Sequence, residues 1–152
     1  MKKLAWIPVL LLALVGLVLA QDSRSKRVEA DTELAFFFSD STRDLEVSAR
    51  ALRVLRTNHP SLRIRPIFLA EDFTSLAKPT TEFARGIREL KYAVGEDFGV
   101  AVYDEDGLAL ARQVKLDRLP AYALLVNTGK RQQAFVVYGT NANLEELLRC
   151  GR

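Results

Sequence analysis

The stretch Lys115-Leu116-Asp117-Arg118-Leu119-Pro120-Ala121-Tyr122-Ala123-Leu124-Leu125-Val126 decides how the rest of the chain is read. A polar turn runs into an apolar-Pro pair, and an uncharged run follows at once, the pattern of a strand covered on both faces. Asn127-Thr128-Gly129 then predicts a hairpin turn, with the returning strand over residues 134–138. Asn141 or Asn143 is placed to cap a closing helix whose apolar side is Leu144, Leu147 and Leu148. Just upstream, Asp104-Glu105-Asp106-Gly107 reads as a turn and residues 108–114 as a short helix.

Working towards the N-terminus, Leu34-Ala35-Phe36-Phe37-Phe38 is a continuous apolar run, again a strand with both faces covered. Ser39-Asp40-Ser41-Thr42-Arg43-Asp44 breaks it. Ser41 and Asp44 have capping-box spacing, with Asp in place of the usual Glu, so a helix is expected to begin there. Leu45, Ala49, Leu52 and Leu55 recur at helical spacing with arginines on the other faces, and Asn58-His59-Pro60 ends that helix. Residues 62–69 read as one strand in which Pro66 marks an edge or irregular part. Strand, helix and strand of these lengths imply a right-handed parallel crossover. After a polar loop, Phe83, Ile87, Leu90 and Val94 predict a second amphipathic helix, Gly95 and Gly99 bracket its exit, and residues 100–103 are strand-like. The order predicts a three-layer α/β/α sandwich with a mixed sheet whose final hairpin is antiparallel.

At 152 residues the chain has the length of one domain. Lys2 and Lys3 precede an uncharged run over residues 4–20 that ends in Val18-Leu19-Ala20, so residues 1–20 are expected to be a secretory signal cleaved after Ala20. An uncleaved anchor is disfavoured because the run is slightly short of the ~20 residues that span a bilayer and contains Pro8. The basic cluster Arg24, Lys26 and Arg27 beyond it also gives no clean positive-inside asymmetry. Residues 21–33 read as a flexible polar segment and residues 34–150 as the domain. Loss of the leader removes two lysines and no acid, which takes the formal charge from +3 to about +1. That balance argues against nucleic acid as a partner, and leaves the membrane reached only through an uncleaved N-terminal segment. Cys150 is the single cysteine and cannot form a disulfide within its own chain.

The acidic turn, short helix, Leu119-Pro120, hairpin and Gly139 resemble the C-terminal half of a thioredoxin-like domain, and residues 36–44 would be the strand and helix start that normally carry Cys-x-x-Cys. The additional helix at Phe83 to Val94, the following Gly99-Val100-Ala101-Val102-Tyr103-Asp104, the ending Gly139-Thr140-Asn141-Ala142-Asn143-Leu144 and the leader together resemble the pilin-assembly (TrbC-type) family of F-type conjugative transfer systems. Those are exported thioredoxin-like proteins that commonly lack the redox dithiol. The family's usual phrase after the first strand is replaced here by Asp40-Ser41-Thr42-Arg43.

The resemblance implies a cis Leu119-Pro120 bond facing the start of the first helix. The dipeptide does not imply it, since X-Pro bonds are cis in only about 5–6% of folded cases. It also implies a surface at Ser41, Thr42, Asp44, Leu119 and Pro120 that binds extended peptide through its backbone. Thiol–disulfide exchange needs a thiolate, which residues 39–44 do not supply, and a serine there lacks an activating base. The expected activity is therefore binding without catalysis: an assembly factor whose partners are other envelope or secretion-system proteins, with no cofactor and no metal. The alternative is a single-cysteine thiol-dependent oxidoreductase or carrier using Cys150. That residue is a possible intermolecular thiol, although three preceding leucines favour its packing under, or fraying from, the last helical turn. His59 is expected to face solvent in a helix-exit turn, and the acidic residues 104–106 lack the ligand spacing of a calcium loop.

Overall fold

β1 (Thr32–Phe38) is paired on both sides and buried along its length except for half-buried Glu33. The computed structural model describes residues 32–69, 80–95, 105–129 and 131–151. β1 pairs in parallel with β2 (Arg63–Phe68) and antiparallel with β3 (Ala121–Thr128), and β4 (Arg131–Tyr138) pairs antiparallel with β3. The strand order is β2-β1-β3-β4, so the sheet is mixed as predicted. Four helices accompany it among the described residues: α1 (Leu45–Asn58), α2 (Thr81–Val94), α3 (Glu105–Gln113) and α4 (Leu144–Cys150).

Alternation along the strands sorts the core into two faces. Leu34, Phe36, Phe38, Tyr122, Leu124 and Val126 point to one side and pack against buried residues of α1, α2 and α4. Ala35, Phe37, Ala121, Ala123 and Leu125 point to the other, where Ala111 of α3 joins them. The result is the expected three-layer α/β/α sandwich, with α2 as the inserted helix. On the first face the rings form a chain. Phe36 stacks on Tyr122 at 4.8 Å and on Phe38 at 5.3 Å, Phe38 meets Phe68 at 5.5 Å, and Phe68 meets Phe83 of α2 at 6.0 Å. Each such pair is worth about 0.5–1.5 kcal/mol beyond the area it buries. The helices meet closely as well: a Cβ at Gly86 of α2 would lie 2.8 Å from Leu45 Cβ of α1, so the glycine permits that approach.

Several boundaries differ from the sequence reading. β1 starts at Thr32, so Thr32 and Glu33 belong to the strand and not to the polar segment. α1 starts at Leu45, not near Ser41, and Asp44 is its N-cap. α3 starts at Glu105, so Glu105, Asp106 and Gly107 form its first turn; acidic side chains there complement the helix dipole, which turns a loop-like sequence into a helix start. β4 starts at Arg131, opposite Thr128, with Gly129 (φ +64°) following the end of β3. The expected leader, the rest of the expected polar segment, residues 71–79 of the expected polar loop and the residues 100–103 read as strand-like lie outside the described residues. Among the described residues no helix is long and apolar enough to cross a membrane.

Candidate functional site

Three strand ends converge where β1 finishes. Phe37 is paired with Ala121, so the next residues, Phe38-Ser39 of one chain segment and Leu119-Pro120 of the other, run on side by side. The Leu119-Pro120 peptide is cis. Leu69, just past β2, donates its N–H to Phe38 O at 2.8 Å, and Gly139, just past β4, donates to Pro120 O at 2.9 Å. Among the described residues no turn or loop backbone hydrogen bond engages Leu119.

The segment between β1 and α1 is a turn closed on itself. Thr42 N–H donates to Ser39 O at 3.1 Å, Ser39 N–H donates to Thr42 Oγ1 at 2.9 Å, and the hydroxyls of Ser39 and Ser41 are 3.0 Å apart. This arrangement replaces the expected capping box. Ser41 and Thr42 are engaged with Ser39, and Asp44 sits in the left-handed region (φ 55°, ψ 35°) as an N-cap without a side-chain cap bond. Aspartate is among the few residues that tolerate that conformation.

The five expected site residues reach one end of the sheet but not one pocket. Ser41, Thr42 and Asp44 line a groove of about 230 Å³ on the α1–α2 face, with Arg43, Arg50 and Glu82 around it. Thr80, which caps α2 by accepting from Phe83 N–H at 3.1 Å, forms its far wall. Glu46 and Arg85 tie α1 to α2 across it by an ion pair. Leu119 instead lines a groove of about 540 Å³ on the α3 face, floored by Leu69, Leu108 and Leu116 and rimmed by Arg112, Lys115 and Arg118. Pro120 lines neither. Sequence reasoning missed this second groove and its neighbour Tyr138, over whose ring Arg118 lies at 5.0 Å. The Tyr138 phenol is held above its usual pKa by desolvation first and by the Asp117 carboxylate second. The signal for it was present: hairpin pairing places Tyr138 opposite Ala121, the residue after Pro120.

Cys150 stands apart from both. It ends α4 and is exposed, bordering a groove of about 690 Å³ with Ala134, Phe135 and Leu147. Of the two placements expected for it, packing under the last turn is not the one seen, because Leu144, Leu147 and Leu148 occupy the buried side of α4 and Cys150 at its end is exposed. His59 is corrected too. Its Nε2 lies 3.0 Å from Glu145 Oε2, while Asn58 Nδ2 donates to Glu145 Oε1 at 3.1 Å, so the exit of α1 is tied to α4. These contacts, Asn58 first and His59 second, hold the Glu145 carboxyl below its usual pKa. Among the described residues no group of three or more His, Cys, Asp or Glu is placed to hold a metal ion. The end of the sheet therefore offers hydroxyls, charges, an apolar groove and open backbone, and no nucleophilic sulfur.

No family model and no curated protein sequence matches the chain. Solved structures do. The structure of dsbF from Mycobacterium tuberculosis in its mixed oxidized and reduced forms is similar at a TM-score of 0.50 and 15% identity, over 83% of this chain and 82% of that one. A secreted M. tuberculosis disulfide oxidoreductase homologous to E. coli DsbE is similar at a TM-score of 0.47 and 14% identity, over 82% of this chain and 83% of that one. At such identity the likeness is one of fold. With a four-stranded mixed sheet and helices on both of its faces among the described residues, the chain has the thioredoxin-like α/β fold.

Proposed function

We propose that this chain is an exported, redox-inactive thioredoxin-like domain that acts as a binding and assembly factor in the bacterial envelope, in conjugative (type IV secretion) pilus assembly. The observation that carries the reading is the turn over residues 39–44. Where the fold resemblance implies a dithiol, it holds Ser41 and Thr42 in a hydrogen-bonded turn with Ser39, Asp44 follows as the N-cap of α1, and the chain's one thiol lies on α4. The partners are other envelope or secretion-system proteins, met as extended segments along Leu119 and the adjoining grooves. Main-chain pairing gives such a surface affinity without covalent chemistry. Export rests on the leader-like residues 1–20, with residues 34–150 as the working domain, and the pilus assignment rests on the TrbC-like order of elements.

The test is capture of envelope proteins by the full chain in its native host, identified by mass spectrometry. The reading expects specific partners that are lost in Thr42→Arg and in Leu119→Asp, both checked for folding by circular dichroism. Finding no partner, or partners indifferent to both changes, contradicts it. Partners without transfer or secretion functions contradict the pilus assignment alone.

A second reading is favoured by the exposure of Cys150: a single-cysteine thiol-dependent oxidoreductase or carrier. Under it Cys150→Ser abolishes activity in vivo, whereas the first reading expects no change.

A further inference from the structure

Among the described residues the sheet ends in two unlike edges. β2 contains Pro66, which has no N–H, and Arg63 and Arg65, features that make a strand a poor template for further pairing. β4 reads Arg-Gln-Gln-Ala-Phe-Val-Val-Tyr: its only charge is Arg131 at the start, and it has no proline. Among the described residues β4 pairs with β3 and with nothing on its outer side.

The groups on that outer side can be assigned. Gly139 N–H donates to Pro120 O, which makes residues 139 and 120 a hydrogen-bonded pair. Alternation through the antiparallel register then makes Val137–Tyr122, Phe135–Leu124 and Gln133–Val126 hydrogen-bonded pairs as well. The N–H and C=O groups of Gln132, Ala134, Val136 and Tyr138 consequently point away from β3.

We propose that β4 pairs antiparallel with β4 of a second copy of this chain, about a two-fold axis at Phe135, joining the two sheets into one. Self-complementarity selects this occupant. The register centred on Phe135 uses all four outward-facing residues, setting Gln132 against Tyr138 of the second copy and Ala134 against its Val136. On the α4 face it sets Phe135 against the same residue of the other copy, as a close non-hydrogen-bonded pair with Cα atoms about 4.5 Å apart.

Charge complementarity agrees. Arg131 shares a strand face with Phe135 and Val137, which pack on the α4 side of the sheet. In this register it falls opposite Gly139 of the other copy, beside an α4 whose first turn carries Glu145 and Glu146. The strand's one charge thus meets an acidic helix start and not its own copy.

Sedimentation of the exported chain, with Cys150 kept reduced, tests this. The expected result is a concentration-dependent mass of two chains. Ala134→Pro removes an outward N–H without touching the β3 ladder, and should weaken the dimer at least about tenfold at unchanged circular dichroism. Ala134→Lys, should the proline variant not fold, brings two lysines to the axis with the same expected loss. Arg131→Glu should weaken the dimer and Glu146→Arg in the same chain should restore it. A single-chain mass at every concentration overturns the proposal, as does a dimer indifferent to the Ala134 changes, or a β4 edge occupied by a segment of another protein.

Discussion

The turn after β1 and the edge formed by β4 and α4 flank the same central strand, β3, and are built in opposite ways. The turn stands on fully buried rings, Phe36 and Phe38, and is closed by hydrogen bonds among Ser39, Ser41 and Thr42. β4 is exposed over residues 131–134 and only half-buried over its last four, and it borders an open groove that holds the chain's single thiol. The two regions show that firm packing at one end of the sheet and the presence of a thiol are separate features of this chain. The cis-proline end of the sheet is intact without a cysteine, and the cysteine sits where no such end supports it.

The largest expected effect that sharpens this contrast is on stability. Phe38→Ala removes a fully buried ring that touches Phe36 and Phe68, and should cost about 3–5 kcal/mol. Phe135→Ala, at a half-buried position, should cost less than half as much, and urea unfolding of the two variants in dilute solution compares them directly. Equal losses would mean that the β4 edge is as firmly built as the turn.

A smaller effect is expected at Tyr122, whose ring is stacked in the core while its hydroxyl and that of Ser48 are buried and close no hydrogen bond of normal geometry. Burial pushes its phenol up to about 12, with Ser48 opposing that shift. The neutral form is therefore favoured on folding. Its contribution is complete below the ordinary tyrosine value of about 10 and is lost as pH rises through about 12. Tyr122→Phe should leave neutral-pH stability within about 1 kcal/mol and flatten the alkaline decline. A larger loss at pH 7 would show that the two hydroxyls are bonded after all.

The smallest effect belongs to the tie between α1 and α4. The Glu145 carboxyl lies below its usual pKa, so its contribution is present above the ordinary value of about 4.3 and disappears as pH falls through the lowered one. The pair is half exposed on the Glu145 side, so Glu145→Gln should cost at most about 0.5 kcal/mol at pH 7 and nothing in acid. Thermal melts at the two pH values would reveal a larger role for this tie.

Much of the fold was legible in the chain because its signals are local. Apolar runs, helical spacing in Leu45 to Leu55 and in Phe83 to Val94, and the leucines of α4 each specify one element and its buried side. Boundaries were less legible where two local rules competed. Ser41 and Asp44 satisfy the spacing of a capping box, yet Ser41 and Thr42 satisfy a turn with Ser39 equally well, and the turn is what forms. The Asp-Glu-Asp-Gly sequence satisfies both a turn and an acidic helix start. The candidate site residues were legible as neighbours at one end of the sheet, through the fold resemblance. Its division into two grooves was not, because Leu69, Leu108 and Leu116 come from three separate segments that only packing brings together. The role of His59 depends on Glu145, far along the chain, and no spacing rule relates them.

The proposed binding of a partner by the turn and Leu119 needs no sulfur chemistry. Its most direct measurement is the affinity of an identified envelope partner for the wild-type chain, for Cys150→Ser and for Thr42→Arg, titrated with and without reductant. Equal affinity is expected for the first two in either condition, and at least about tenfold weaker binding for the third. Binding that disappears with Cys150 or with reductant, and survives Thr42→Arg, would contradict it.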